Sequence, residues 1–482
     1  MPPFLRPASR AAPAAAMALG LLLWAGAAGL AWAHAGERGF VLLLPTAYYI
    51  VGGTLAVAAS FLLLLFVPVA ELRWLQAARL GLCAVPSVPK AATSAAAFLL
   101  LVLLVLAGVL GSRDPLANPL PLTVWTLWWG GLTIAQALLG NLWAALNPWV
   151  APYRLLRRLD GPMLARLPLP YPRWLGYWPA VLAFLAFAWF ELIDPAPDDP
   201  ARLAQAVVAY SVVTVLGMLL FGGHAWLARA ECFSVFFAFV ARLSPLRIDR
   251  SDAGRRRLVL GCPGAALVTN DSLPVSGVLF VLLTLAAVSF DGLSKTFWWL
   301  ALGGINPLEF PGRTAVMTRN SLGLVALWAG LVLAYGLAIP LGARLAGDRA
   351  GQAHLGAFVL SILPISIGYH FAHYLTAFLV NAQYAVIALG DPFARGWNLL
   401  GQANRHVTTS FLTNYDAVSI IWKLQAAAVV TGHIVAVTLA HMVALARFGS
   451  ARAAVASQLP LAILMIAYTL FGLWLLAAPT AG

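Results

Sequence analysis

Long apolar runs follow one another along most of the chain, with short polar or charged stretches between them. A helix needs about 20 mostly apolar residues to cross a bilayer, and ten runs after residue 36 are about this long. The predicted spans are residues 46–70, 93–111, 122–146, 174–194, 203–225, 273–292, 321–343, 355–385, 417–446 and 457–478. The pattern predicts an all-α fold, a polytopic bundle of about ten transmembrane helices.

The N-terminal region has a different pattern. Arg6 and Arg10 precede a short apolar run that ends in the small-residue sequence AHA at 33–35, which is typical of a signal-peptide cleavage site. We predict a cleaved signal peptide over residues 1–35, with a first membrane span as the alternative. Residues 36–482 then form one integral-membrane helical domain, because no linker is long or polar enough to separate a second one.

Composition and charge point to the same class of protein. Apolar residues make up 62% of the chain, charged residues make up 10%, and the mean hydropathy is +0.86, which excludes a soluble globular domain. The loops on one side of the predicted bundle carry 19 Lys and Arg residues, and those on the other side carry 8. By the positive-inside rule the first side is cytoplasmic, and both ends of the mature chain lie outside. The basic residues are spread over five inner loops, so the net charge of +13 suits a lipid bilayer as partner and not nucleic acid.

One apolar segment on the predicted inner side is too short to cross a bilayer comfortably. Residues 228–243 read ARAECFSVFFAFVARL, and Arg229 and Arg242 bracket the apolar part. This length and these flanking charges predict a helix that either lies in the membrane interface or re-enters the bundle.

Histidines are the polar side chains that cluster inside the predicted spans. His370 and His373 project from one face of the eighth span. His433 is predicted at nearly the same depth in the antiparallel ninth span, and His441 lies about two turns further along. Because an ionisable group in hydrocarbon is costly unless paired, we predict a divalent metal on His370, His373 and His433, with His441 as a further candidate ligand. A haem held by two histidines, a proton relay and hydrogen bonding between packed helices are the alternatives.

Two carboxylates lie near the predicted outer ends of spans. Glu191 is close to the end of the fourth span, and Asp291 is close to the end of the sixth. We predict that one of them is the catalytic base, which accepts a proton from metal-bound water. Lys423, inside the ninth span, is predicted to pair with a carboxylate of this outer group.

Motifs of several other chemistries are absent from the sequence. The chain contains no GxSxG, no GxxxxGK[ST] and no HExxH, the signatures of serine hydrolases, phosphate loops and zinc proteases. No CxxC occurs, and all the cysteines fall on the predicted cytoplasmic side, where thiols stay reduced: Cys83, Cys232 and Cys262. A disulfide framework, an iron–sulfur cluster and a structural zinc site are therefore not predicted.

Several stretches, taken together, resemble a known family. They are FGGHAWLARAECFSVFFAFVARLSPL (221–246), SFDGLSKTFWW (289–299), LPISIGYHFAHYLTAFLVNAQY (363–384) and QAAAVVTGHIVAVTLAH (425–441), with NPW upstream at 147–149. The most specific element is AHY in one span followed by GH and AH in the next, here at His373, His433 and His441. From about residue 120 to the C-terminus, the chain resembles the bacterial polytopic membrane proteins called fenitrothion hydrolases.

The resemblance implies a bacterial inner-membrane enzyme, with periplasmic termini on the predicted topology, that works with a companion membrane subunit. Its expected reaction is hydrolysis of organophosphorus triesters such as fenitrothion to a nitrophenol and a dialkyl thiophosphate. Such a small hydrophobic substrate partitions into the bilayer and can reach a site between helices from there. The combined hypothesis is that a divalent metal on the histidines activates water and that Asp291 or Glu191 accepts its proton. A metal or solute permease, and a non-catalytic membrane subunit of a redox or hydrolytic complex, are the other classes.

Overall fold

The fold is a bundle of long helices. The computed structural model describes residues 44–86, 89–159, 168–250, 256–268, 272–309, 312–402 and 404–480. Ten helices in these ranges are long and apolar enough to cross a membrane, and we number them α1 to α10: Thr46–Leu64, Lys90–Leu110, Pro119–Leu139, Arg173–Leu192, Pro200–Phe221, Val275–Ser294, Arg313–Leu345, Gly351–Gly390, Tyr415–Arg447 and Ala451–Ala477. They confirm the predicted helical fold and its ten spans. The predicted signal peptide, residues 1–35, lies outside the described residues.

Three of these helices form the centre of the bundle. In their most apolar stretches, 78% of α6, 83% of α8 and 67% of α9 is buried within the protein, against 17–39% for the other seven. Helix α8 packs against α3, α6 and α9. The outer helices present their apolar side chains to the surroundings, as expected where lipid is the solvent. Polar side chains on α6 and α8 are therefore surrounded by protein, where their hydrogen bonds must be found.

Helices α8 and α9 approach each other very closely at two glycines. A Cβ atom on Gly368 would lie 2.6 Å from the carbonyl oxygen of Ala428, and one on Gly432 would lie 2.6 Å from that of Pro364. Small residues allow this approach between membrane helices, since the backbones come into contact. The two contacts fix the antiparallel register of α8 and α9, with residue 364 opposite residue 432.

The short apolar segment forms the turn and the second helix of a helical hairpin, residues 223–240, which we call the re-entrant hairpin. Its first helix, Gly223–Arg229, begins directly after the end of α5. At the turn, Glu231 accepts a hydrogen bond from Tyr210, which lies halfway along α5. In the second helix, Cys232–Val240, seven of the nine residues are buried. Of the two predicted alternatives, the structure therefore has the re-entrant one, with its turn at mid-depth.

Glu231 holds the turn of the re-entrant hairpin together. Its carboxylate accepts hydrogen bonds from the backbone N–H groups of Phe233 (2.9 Å) and Ser234 (2.7 Å) as well as from Tyr210. We expect Glu231→Ala to lower the free energy of unfolding by about 1–3 kcal/mol, because it leaves buried donors without an acceptor. Glu231→Gln retains one acceptor oxygen and serves as the milder variant. Unfolding in detergent measures both, and equal stability of Glu231→Ala and wild type would contradict the capping role.

A small antiparallel sheet, which the sequence analysis did not predict, completes the fold. Its strands are β1 (Arg79–Ala84), β2 (Leu246–Arg250) and β3 (Arg256–Gly261), in the order β1-β3-β2. The sheet lies at the same end of the bundle as the end of α3, since Ser244 donates a hydrogen bond to the Leu138 carbonyl. Shorter helices elsewhere are Val69–Ala77, Trp143–Leu146, Val150–Leu159 and Phe297–Ala301, and one-turn 3-10 helices include Pro307–Glu309 and Ser410–Thr413.

Candidate functional site

Polar side chains from four helices surround a small cavity inside the bundle. Its wall includes Glu191 near the end of α4, Asp291 on α6, and His370 and Tyr374 on α8, with Trp129 contributed by α3. The cavity has a volume of about 10 Å³, roughly what a single water molecule needs. The cavity therefore has the polar partners and the size to hold one water molecule.

Asp291 lies at the centre of a group of three ionisable residues. Its Oδ2 is 2.5 Å from Nε2 of His373, and its Oδ1 is 2.7 Å from Nζ of Lys295, one helical turn further along. The Asp291 side chain is only 5% exposed, whereas His373 is 25% and Lys295 47% exposed. The group thus connects a buried carboxylate with the protein surface. Lys423 was predicted to pair with one of the outer carboxylates, but Asp291 pairs with Lys295 and His373 instead.

Glu191 belongs to a second hydrogen-bonded chain. The hydroxyl of Tyr374 donates to Oε1 of Glu191, and the indole Nε1 of Trp129 donates to the Tyr374 hydroxyl over 2.9 Å. One oxygen of Glu191 is used in this way, while Asp291 uses both of its oxygens. Glu191 is therefore the carboxylate with more freedom to bind and deprotonate a water molecule.

His370 is oriented by α3. Its Nε2 donates a hydrogen bond to the carbonyl oxygen of Trp129 over 2.9 Å, and its ring meets the Trp129 ring edge-on, with centroids 5.0 Å apart. A donating Nε2 in neutral imidazole leaves Nδ1 as the nitrogen with a lone pair. Trp129 lies in the π-helical stretch Leu122–Leu132, and its carbonyl also accepts from Thr133. Irregular helix of this kind is frequent at functional sites.

The cavity has an apolar and a polar wall. Trp129, Phe184 and Phe236 form the apolar part, and Phe236 comes from the re-entrant hairpin. Two hydroxyls extend the polar part, with Oγ1 of Thr284 and Oγ of Ser366 3.3 Å apart. A water molecule here would have several hydrogen-bonding partners, as buried waters in proteins do.

His433 lies away from this cavity. Its neighbour Gly432 packs against the backbone at Pro364, six residues from His370 along α8, or about 9 Å of helical rise. Its Nδ1 donates to the Val429 carbonyl over 2.8 Å, and among the described residues its Nε2 has no hydrogen-bond partner. The structure therefore does not bring His433 to the depth of His370.

His441 has its own partner, Gln458 on α10, whose Nε2 lies 3.0 Å from its Nδ1. Within the described ranges, no group of three or more His, Cys, Asp or Glu side chains is arranged to hold a metal ion. His370, His373, His433 and His441 in this arrangement do not fit a shared metal site. The divalent metal stays a prediction from the sequence, and no step below passes through it.

Sequence reasoning missed three residues of the site. Tyr374 follows His373 directly in the AHY segment, and Trp129 ends the pair WW at 128–129. Both were available as polar-tipped aromatic residues in an apolar span, a residue type that needs a hydrogen-bond partner when buried. Lys295, four residues after Asp291, carried the helical spacing of an ion pair.

Comparisons of the chain with known protein families, with curated proteins and with solved structures give no match. The resemblance to fenitrothion hydrolases therefore stays a prediction that rests on the quoted sequence stretches. The fold and the composition by themselves establish a multi-pass membrane protein with ten long apolar helices.

Proposed function

We propose that the protein is a membrane-embedded hydrolase in which a buried carboxylate activates one water molecule, with neutral aryl phosphotriesters as its substrate class. The observation that carries the proposal is the cavity between Glu191 and Asp291, which has room for one water. The substrate class comes from the sequence resemblance. Its chemistry suits a site among apolar helices, because a neutral triester needs no cationic clamp and partitions into lipid.

The proposed reaction assigns separate roles to the two carboxylates. Glu191 accepts a proton from the cavity water while the water oxygen forms a bond to phosphorus. The bond from phosphorus to the aryloxy oxygen breaks, and the leaving oxygen takes the electron pair. Glu191 then gives its proton to the aryloxide, which yields a nitrophenol and restores the carboxylate. Asp291 orients the water, and His373 and Lys295 are positioning residues that hold its carboxylate. General-base catalysis of this kind contributes about 10²–10⁴ in rate.

Substrate binding in this proposal requires a movement. A space for one water does not accommodate a triester, so the helices around the cavity must part before reaction. Opening and closing of packed elements is a common step in enzymes that exclude water from their sites. The aromatic wall of Trp129, Phe184 and Phe236 then offers apolar contact for the aryl group.

The direct test uses the purified protein in liposomes with an aryl phosphotriester whose nitrophenol product is coloured. Wild type is expected to release the chromophore, and membranes from cells that lack the protein serve as blank. The assay is then repeated with membranes in which a companion subunit is co-expressed. The unfolding transition shows whether the protein is folded. If folded protein gives no turnover in either preparation, the hydrolase proposal is overturned.

A proton-coupled permease is the second candidate, and two observations favour it. The cavity is small enough for water and protons alone, and the re-entrant hairpin places a helix N-terminus at mid-depth. Broken helices with termini near the membrane centre are typical of transporters. A pH-sensitive dye inside the liposomes measures this activity: solute-driven proton movement without chromophore release would favour the permease.

A further inference from the structure

The three-stranded sheet has one apolar face. Its register pairs Leu80 of β1 and Leu246 of β2 with Leu260 of β3, and Ile248 with Leu258. Paired residues of neighbouring strands project to the same side of a sheet, and residues two apart along a strand share that side. These five side chains therefore form one surface, which we call the apolar face, and Arg256 borders it on the same side of β3.

The rest of the described chain leaves three of the five side chains of the apolar face exposed, and Leu246 and Leu258 are partly buried. Leu80 is 61% exposed, Ile248 is 46% exposed and Leu260 is 40% exposed. A soluble surface seldom presents several large apolar side chains side by side without a function for them. The face needs an apolar environment that lies outside the described residues.

The opposite face of the sheet is basic. Arg247 of β2 is paired with Val259 of β3. Arg257 of β3 is paired with Asp249 of β2, which is the acidic residue on this face. The guanidinium of Arg257 lies against Gly81, and Arg79 begins β1 on the same face. Burial lowers the pKa of the Arg247 guanidinium, and the charge of Arg79 acts in the same direction. Positive charge on this face thus exceeds negative charge.

The position of the sheet decides between possible environments. Strand β1 lies between α1 and α2 in sequence, and β2 and β3 lie between α5 and α6. Gly140, just after the end of α3, packs against the Leu246 carbonyl of β2, so the sheet lies where the helices leave the membrane. Among the described residues, β1 and β2 are the edge strands of the sheet, and hydrocarbon does not tolerate open sheet edges. The headgroup layer satisfies both conditions, since it offers water and phosphate to the edges and acyl chains to an apolar surface just beneath.

We propose that the sheet lies in the membrane interface at the predicted cytoplasmic end of the bundle, with its apolar face against the acyl chains and its arginines on anionic lipid headgroups. This is the sheet counterpart of an interfacial amphipathic helix, in which apolar area and basic charge act together. Arginines near an anionic surface add electrostatic attraction to it. The inference does not rest on the proposed catalytic function.

Adjacent residues on opposite faces of β2 allow a matched test. In a background of Cys83→Ser and Cys262→Ser, with buried Cys232 retained, Ile248→Cys and Asp249→Cys each carry a nitroxide label in liposomes of phosphatidylcholine and phosphatidylglycerol. We expect the label at 248 to collide with oxygen and to be shielded from an aqueous nickel chelate, and the label at 249 to show the reverse. Equal access of the chelate to both labels would overturn the proposal, and so would a label at 248 that is shielded from both reagents, as under a protein partner.

A second set of measurements tests the role of the arginines. In liposomes of phosphatidylcholine alone, the label at 248 is expected to become several-fold more accessible to the nickel chelate. Replacing Arg79 and Arg257 with glutamine is expected to have the same effect in the anionic liposomes. If neither change alters the access of the nickel chelate to the label at 248, the proposed contact with the headgroups is overturned. Labelling of the background protein without an added cysteine controls for reaction at Cys232, which is buried.

Discussion

Glu191→Gln is expected to lower the rate of chromophore release by about 10²–10⁴-fold, the range of a lost general base. Glutamine has the shape of glutamate and keeps an oxygen that accepts the Tyr374 hydroxyl, so the chain from Trp129 is retained. What it loses is the ability to take a proton from water. The measurement is the initial rate of nitrophenol release in liposomes, together with the unfolding transition of the variant.

The matched control for this prediction is Glu71→Gln. Glu71 lies in the first turn of the short helix Val69–Ala77 and is exposed, away from the cavity. It makes the same chemical change, and we expect it to leave the rate within about twofold, since exposed substitutions away from special features act weakly. A Glu191→Gln protein that is folded and as active as Glu71→Gln would exclude Glu191 as the base.

The sequence predicted the helices well because their signal is local. Each span is a continuous apolar run, and its length is set by the thickness of the bilayer. The re-entrant hairpin was recognisable for a similar reason, since Arg229 and Arg242 bracket a run too short to cross. The sheet gave no such signal, because β1 pairs with a strand about 175 residues later and each strand has only five or six residues.

The candidate site was predicted in part, for a reason that lies in helix register. Placing His433 beside His370 assumed that the midpoints of α8 and α9 face each other. The structure sets the register instead by the close contacts of Gly368 and Gly432, and it extends α8 to Gly390. Steric fit between two glycines and two carbonyls is not a property of either helix alone, so composition and spacing could not supply it.

The sequence also could not show which of the predicted residues contact each other. Asp291 and His373 were separate candidates, as base and as metal ligand, and the structure places them 2.5 Å apart. Glu191 meets Tyr374 across 183 positions of sequence. The cost of leaving each group unpaired in an apolar bundle predicts that partners exist, but only the packing of α4, α6 and α8 determines which ones.

The glycine contact between α8 and α9 predicts a large effect on stability. Gly432→Ala places a methyl group 2.6 Å from the Pro364 carbonyl, and Gly368→Ala does the same at Ala428. Backbone atoms cannot turn aside as a flexible side chain can, so α8 and α9 must separate by several tenths of an ångström along their length. We expect each variant to lose about 1–3 kcal/mol in the free energy of unfolding, the usual cost of overpacking. Separation of the helices also displaces His370 and Tyr374, so activity should fall together with stability.

Two glycines of α7 with open space beside them provide the control for this prediction. A Cβ on Gly330 or Gly336 would meet nothing within 4 Å, so alanine there costs no contact. It gains up to about 1 kcal/mol of helix propensity in soluble helices, and we expect a neutral or slightly stabilising effect here. Unfolding of the four variants in detergent compares them directly. If Gly432→Ala and Gly368→Ala unfold like Gly330→Ala and Gly336→Ala, then α8 and α9 are not in backbone contact, and the register that separates His433 from the cavity no longer holds.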